Sequence, residues 1–180
     1  MHFFVGGTRS GKSALAQRWV EQYATGDAGC LLFLATCRVE DSEMRARVAL
    51  HRANRGPAWF LCEEALDPLG ALHTALARHD NRLKAILLDC VSLWIANLLA
   101  EGMGNAAIAK RVGALADGMA ICGLPCALVS AEVGMGIVPA SALGRQYRDI
   151  LGEANQIIAQ TCDSLIFATC GQPLIVKGQL

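Results

Sequence analysis

The chain has no excess of charge of either sign. Its 16 Lys and Arg balance 16 Asp and Glu, giving a formal net charge of zero. That argues against holding nucleic acid by bulk electrostatics, while leaving room for a small anionic ligand at a local site. A CxxC pair is also missing. The eight cysteines, Cys30, Cys37, Cys62, Cys90, Cys122, Cys126, Cys162 and Cys170, are scattered, most of them inside apolar runs. They read as reduced, buried thiols rather than as a disulfide framework or a zinc site. No apolar run is long enough to span a membrane; the longest candidate, residues 85–100, is broken by Asp89. The opening MHFFVGG is too short for the apolar region of a signal peptide and carries no basic start. Export and membrane insertion are not expected, and a cytoplasmic location is. Internal repeats and low-complexity segments are absent as well.

What the chain does have is material for a core. Hydrophobic residues make up 53% of its 180 residues and charged residues only 18%, enough for one folded domain over residues 1–180. Short apolar runs at residues 2–5, 30–35, 59–62, 85–89, 125–130 and 164–169 read as buried strands. Between them lie helical patterns. Residues 12–23 carry Leu15, Trp19 and Tyr23 on one face, with Thr-Gly-Asp at Thr25 as a stop. Residues 41–54 form a second pattern, with acidic residues in the first turn and Gly-Pro at Gly56. Leu66, Leu69, Leu72 and Leu76 mark a third, and residues 93–101, 105–122 and 141–161 fit three more. This alternation predicts an α/β fold, a mostly parallel sheet with helices on both faces. Residues 173–176 follow Cys-Gly-Gln and predict a short antiparallel hairpin at the sheet edge.

The strongest motif closes the first strand: Gly6, Gly7, Thr8, Arg9, Ser10, Gly11, Lys12 and Ser13 spell GxxxxGKS in full. Glycines let the backbone fold tightly around phosphate with its N–H groups inward, and the helix N-terminus adds partial positive charge. Lys12 is placed to reach the terminal phosphates, and the Ser13 hydroxyl suits Mg²⁺. Such a loop needs a carboxylate at the end of another strand, and Ile86-Leu87-Leu88-Asp89 supplies one. The fold expected is therefore P-loop NTPase-like.

Of the four histidines, His2 opens a strand, His73 lies in the leucine-patterned helix and His79 in a charged turn. His51 follows Met44 and Val48 at helical spacing and sits among Arg45, Arg47, Arg52 and Arg55. A neutral imidazole beside guanidinium groups can attack phosphorus, yet spacing alone favours a half-buried histidine at a helix end. Two acidic sites stay open: Glu132, which starts a flexible loop after the fifth strand, and the Glu63–Glu64 pair after the third. Arg145, Arg148, Asp149, Asn155 and Gln156 follow on the last helix.

Taken together, these blocks resemble the bifunctional adenosylcobinamide kinase/adenosylcobinamide-phosphate guanylyltransferases of cobalamin biosynthesis. The resemblance runs nearly end to end. It rests on Gly6–Ser13, Ala-Thr-Cys at Ala35, Glu-Met-Arg-Ala-Arg-Val…His from Glu43 to His51, and Trp59 with Glu63. It continues through Leu-Leu-Asp-Cys at Leu87, Glu-Val-Gly-Met-Gly-Ile-Val-Pro at Glu132, and the block from Arg145 to Gln156. It implies two reactions: a nucleoside triphosphate, ATP or GTP, phosphorylates adenosylcobinamide, and GTP then guanylylates a histidine that passes GMP to adenosylcobinamide phosphate. The family's modified histidine matches His51, so the resemblance overrides the structural role that spacing alone favours. Ala35, Thr36, Cys37, Arg52, Ala53, Asn54, Arg55, Glu63 and Asp89 match nucleotide-site positions, and Ser13 with Asp89 the Mg²⁺ site. A homotrimer is implied too. Ala131 departs from the pattern, standing where members often have Asn. Without the resemblance, the P-loop equally fits a single-function small-molecule kinase or a regulatory NTPase.

Overall fold

The computed structural model describes residues 1–24, 29–38, 56, 58–79 and 82–180. Strands form at the short apolar runs: β1 (His2–Gly6), β2 (Cys30–Ala35), β3 (Trp59–Glu63), β4 (Leu83–Asp89), β5 (Cys126–Ala131), β6 (Ser164–Thr169) and β7 (Gln172–Lys177). They make one sheet in the order β3-β2-β4-β5-β1-β6-β7. The pairings of the first six are parallel, and β7 runs antiparallel to β6 at the edge. The expected α/β architecture and terminal hairpin are both present. β1 lies between β5 and β6, with Gly6 level with Ala131 on one side and Ala168 on the other.

The helices described are α1 (Lys12–Glu21), α2 (Pro68–His79), α3 (Val91–Ala100), α4 (Asn105–Ile121) and α5 (Ala142–Thr161). Successive strand residues point to opposite faces, so β1 feeds two cores. Phe3 and Val5 pack with Leu72, Ile95, Leu115 and Leu151 of α2 to α5, whereas Phe4 packs with Leu15 and Trp19 of α1. Helices on both faces follow directly from that alternation.

Several boundaries move. Helix α1 ends at Glu21, not Tyr23, because the Tyr23 N–H turns back to the Val20 carbonyl at 3.0 Å; Tyr23 still meets the Trp19 ring edge-on at 5.2 Å. Leu66 precedes α2, and its carbonyl accepts from Trp94 Nε1 at 3.1 Å. His79 is the last residue of α2, with its ring 4.2 Å from that of Phe60, rather than part of a charged turn. Among the cysteines, Cys90, Cys126 and Cys162 are buried; Cys30, Cys37, Cys62 and Cys122 are half-buried and Cys170 is exposed. Burial therefore covers fewer thiols than expected. The helix predicted over 41–54 and the stop at Thr25 lie outside the described residues. No described helix is long and apolar enough to cross a membrane.

Candidate active site

The glycine-rich loop joins the carboxyl end of β1 to α1. Helix α1 starts at Lys12 with no side-chain cap and no acid in its first turn. Its leading N–H groups and the positive end of its dipole thus remain available to an anion. Two glycines are needed for shape. Gly11 has φ +92°, and a Cβ there would sit 2.8 Å from Gly171 Cα; a Cβ on Gly6 would lie 2.4 Å from the Ala168 carbonyl oxygen. The loop is clamped by the β6–β7 hairpin, whose Gly171 N–H donates to the Ser10 carbonyl at 2.8 Å. Both touching loops hold a non-glycine residue in the left-handed region, Arg9 at φ 56° and Cys170 at φ 51°. Lys12 Nζ reaches back across the loop to the Gly7 carbonyl at 3.0 Å. The Ser10 hydroxyl is buried without a hydrogen-bond partner. Thr8 and Arg9 are exposed, and Gly7 and Ser13 half-buried.

Asp89 ends β4, one strand beyond β5 from β1. Two strand spacings put it roughly 10 Å across the sheet from the β1 terminus. Thr36, after β2, is fully buried. Its hydroxyl donates to the Cys90 carbonyl at 2.6 Å and accepts from the Cys90 N–H at 3.0 Å. Asn97 on α3 donates to the Thr36 carbonyl at 2.8 Å and the Ala65 carbonyl at 3.0 Å. Thr36 thus braces the backbone beside Asp89, and its side chain is committed to that task. Burial, reinforced by the Asp89 carboxylate, pushes the Cys90 thiol up to about 11. Cys90 is therefore a protonated core group 3.0 Å from Ser92 Oγ, not a nucleophile. Tyr147 is pushed up to about 12, by burial first, and donates its phenol proton to the Ser92 carbonyl at 3.2 Å. Ala35 and Cys37 flank Thr36, both half-buried, and Arg38 just beyond pairs with Glu101 at 2.6 Å.

The two glutamates after β3 have separate fates. Glu64 accepts from the Leu66 N–H at 2.8 Å and the Asp67 N–H at 3.0 Å. Hydrogen bonds from the Asp67 and Leu66 backbone hold its carboxyl below the usual range. Glu63 is exposed beside a cavity of about 410 Å³ that also meets Phe60, Asp67 and Arg78. Across the sheet, the Glu132 N–H donates to the Gly6 carbonyl at 3.1 Å, so the 132–139 loop starts against the phosphate loop. The Glu132 carboxylate turns onto the Gly134 N–H. Arg145 Nη1 pins the far end, donating to the Pro139 and Ala140 carbonyls at 3.1 and 2.7 Å. Between these anchors Met135, Ile137 and Val138 are exposed. Asn155 donates to the Ala131 carbonyl at 3.1 Å, from the helix flanking the same loop.

The glycine-rich loop, a carboxylate two strands away and an apolar loop rooted beside it thus gather at the carboxyl edge of the sheet. Residues 2–176 match the family described as cobinamide kinase / cobinamide phosphate guanyltransferase. The chain belongs to that family. It is 35% identical over 175 residues to the bifunctional adenosylcobalamin biosynthesis protein CobP of Pseudomonas aeruginosa, covering 97% of this chain and 96% of the relative. It is 35% identical over 189 residues to the protein CobU of Salmonella typhimurium, covering 98% and 99%. Membership makes the chain a transferase of cobalamin biosynthesis, with the kinase and nucleotidyltransferase chemistry of that family. Of the residues predicted to serve this chemistry, Gly6, Gly7, Thr8, Arg9, Ser10, Gly11, Lys12 and Ser13 form one loop. Ala35, Thr36, Cys37, Glu63 and Asp89 lie at the carboxyl ends of neighbouring parallel strands, where open α/β sheets bind ligands. His51, Arg52, Ala53, Asn54 and Arg55 lie outside the described residues. The clamp of Gly171 on the loop is not apparent from the sequence; the Cys-Gly-Gln turn is visible there, its neighbour is not.

Proposed function

We propose that this chain carries out both family reactions: phosphorylation of adenosylcobinamide by ATP or GTP, then transfer of GMP from GTP through His51 to give adenosylcobinamide-GDP. The observation that carries this reading is the uncapped, acid-free start of α1 behind a clamped glycine loop, in a chain that matches the family over residues 2–176. In the first reaction the substrate hydroxyl attacks the γ-phosphorus, the bond to the β-phosphate oxygen breaks, the nucleoside diphosphate leaves, and the hydroxyl proton passes to solvent. Lys12 exchanges the Gly7 carbonyl for phosphate oxygens and steadies the charge moving onto the leaving diphosphate. In the second, a His51 ring nitrogen attacks the α-phosphorus of GTP and pyrophosphate departs. An oxygen of the substrate phosphate then attacks that phosphorus and releases the imidazole, one hard transfer split into two easier ones.

The hydroxyl of Ser13 and the carboxylate of Asp89 are the hard oxygen donors that Mg²⁺ prefers, and both stand half-buried at the sheet's carboxyl edge. These two residues would hold Mg²⁺, which would supply charge neutralisation at the phosphates. Glu63 is taken as a nucleotide-side contact, Ala35 and Cys37 as the nucleotide floor, and Arg52 to Arg55 as phosphate and nucleotide partners of His51. A cytoplasmic homotrimer completes the reading; the exposed apolar edge strand β7, with Leu174, Ile175 and Val176, supports association.

The test is covalent labelling. The protein is incubated with Mg²⁺ and GTP labelled at the α-phosphate, then denatured. An acid-labile, alkali-stable label that vanishes in His51→Ala is expected. Phosphoryl transfer to adenosylcobinamide with no label would reduce the protein to a kinase. Loss of both would point to a regulatory NTPase.

A further inference from the structure

A cysteine pair lies far from this site, at the opposite end of β5. Helix α4 stops at Ile121, Cys122 caps it, and Gly123 (φ +77°), Leu124 and Pro125 turn the chain into Cys126, the first residue of β5. The turn brings the two sulfurs to 3.3 Å. A disulfide needs about 2.05 Å, so a closing movement of little more than 1 Å within one short turn would join them. The two thiols are unequal. Cys122 is half-buried between exposed Ile121 and Gly123, whereas Cys126 is fully buried, in register with Ile86 of β4. The hydrogen-bonded contact with the Cys126 sulfur first, and then backbone hydrogen bonds at Leu124 and Cys122, lower the Cys122 thiol against the effect of burial. The same contact and burial raise Cys126. One sulfur is thus reachable and readily ionised, and the other is sheltered behind it, the division of labour of an attacking and a resolving thiol.

We propose that Cys122 and Cys126 form a reversible dithiol–disulfide modification site, oxidised by low-molecular-weight disulfides. The Cys122 thiolate attacks one sulfur of the small disulfide, whose S–S bond breaks, and one small thiolate leaves. Cys126 gives its proton to that thiolate and its sulfur attacks Cys122, expelling the second small thiolate, which takes from solvent the proton that Cys122 released on ionising. Two protein thiols are oxidised, and one small disulfide is reduced to two thiols. Because Cys126 is closed to solvent, the internal bond forms in preference to a lasting mixed adduct. Cys126 and Ala131 stand at the two ends of β5, roughly 16 Å apart.

The sequence provides an internal assay. Trypsin cuts after Arg111 and Arg145, and the peptide between them contains Cys122 and Cys126 and no other cysteine. The folded protein is treated with oxidised glutathione, quenched by alkylation and digested. The expected peptide is lighter than its reduced form by two hydrogens, takes no alkyl group, and gains two after reduction. In Cys126→Ser the reaction should stop as a glutathione adduct on Cys122. A peptide that stays reduced while exposed Cys170 acquires glutathione would overturn the proposal, and so would a stable Cys122 adduct in the unsubstituted protein. The measurement on that protein stands even if the variant does not fold.

Discussion

Thr36 shows how one hydroxyl sets the site. It fills two hydrogen bonds of Cys90, whose position fixes the backbone that ends in Asp89. Thr36→Val keeps the volume and removes both bonds, leaving the buried Cys90 N–H unpaired while the Cys90 carbonyl keeps the Trp94 N–H at 3.2 Å. A loss of about 1–3 kcal/mol is expected, read as a lower midpoint in urea unfolding. Glu64 gives a prediction in pH. Its folded carboxyl lies below the ordinary value because Asp67 and Leu66 donate to it. Its contribution to stability is therefore present above the unfolded value and lost as pH falls through the lowered folded one. Thermal melts should find Glu64→Gln less stable than the parent at neutral pH, with the gap closing in acid. An unchanged gap would refute the linkage. Neither role was legible in the sequence. Thr36 meets a partner 54 positions away, and Glu64 looked like Glu63 until the backbone turned under it. The glycine-rich loop was legible because its whole motif lies in consecutive residues, Gly6 to Ser13.

The elements were easier to read than their ends. Apolar runs located each strand because parallel strands covered on both faces need unbroken hydrophobicity. Helix ends shifted where a local carbonyl captured an N–H, as at Tyr23. The contact between the β6–β7 turn and the phosphate loop, by contrast, joins parts of the chain that no periodicity links. It carries a prediction about activity. Gly11→Ala forces a side chain into φ +92° and against Gly171 Cα. The left-handed conformation alone costs about 1–2 kcal/mol, and the contact adds to it. Kinase turnover should fall at least tenfold, by the scale on which about 1.4 kcal/mol is a factor of ten, with KM for the nucleotide rising. Turnover unchanged within twofold would show that the clamp does not shape the loop.

At the scale of the molecule, the alternation of strands and helices implied a parallel sheet without giving its order. That order depends on which crossovers pack best, so β1 could not be placed between β5 and β6 from the sequence. The exposed apolar edge at β7 is likewise a property of the assembled sheet. A charge on an edge strand blocks pairing with another chain. For the proposed homotrimer, Ile175→Lys should therefore lower the sedimentation coefficient to that of a monomer; an oligomer's coefficient in both proteins would place the association surface elsewhere, and a monomer's in both would refute the homotrimer. The central position of β1 bears also on synthesis. Its two neighbours emerge only after roughly 120 and 160 further residues, and at ribosomal speed the first wait alone is roughly 6–24 s. Through that interval Phe3, Phe4 and Val5 have no sheet to enter, and the glycine loop has no hairpin to press it into shape. The first of the seven strands to be made is thus among the last to be finished. A ribosome-bound chain stalled before β6 should hold no nucleotide, while holdase chaperones retain their grip on its first strand.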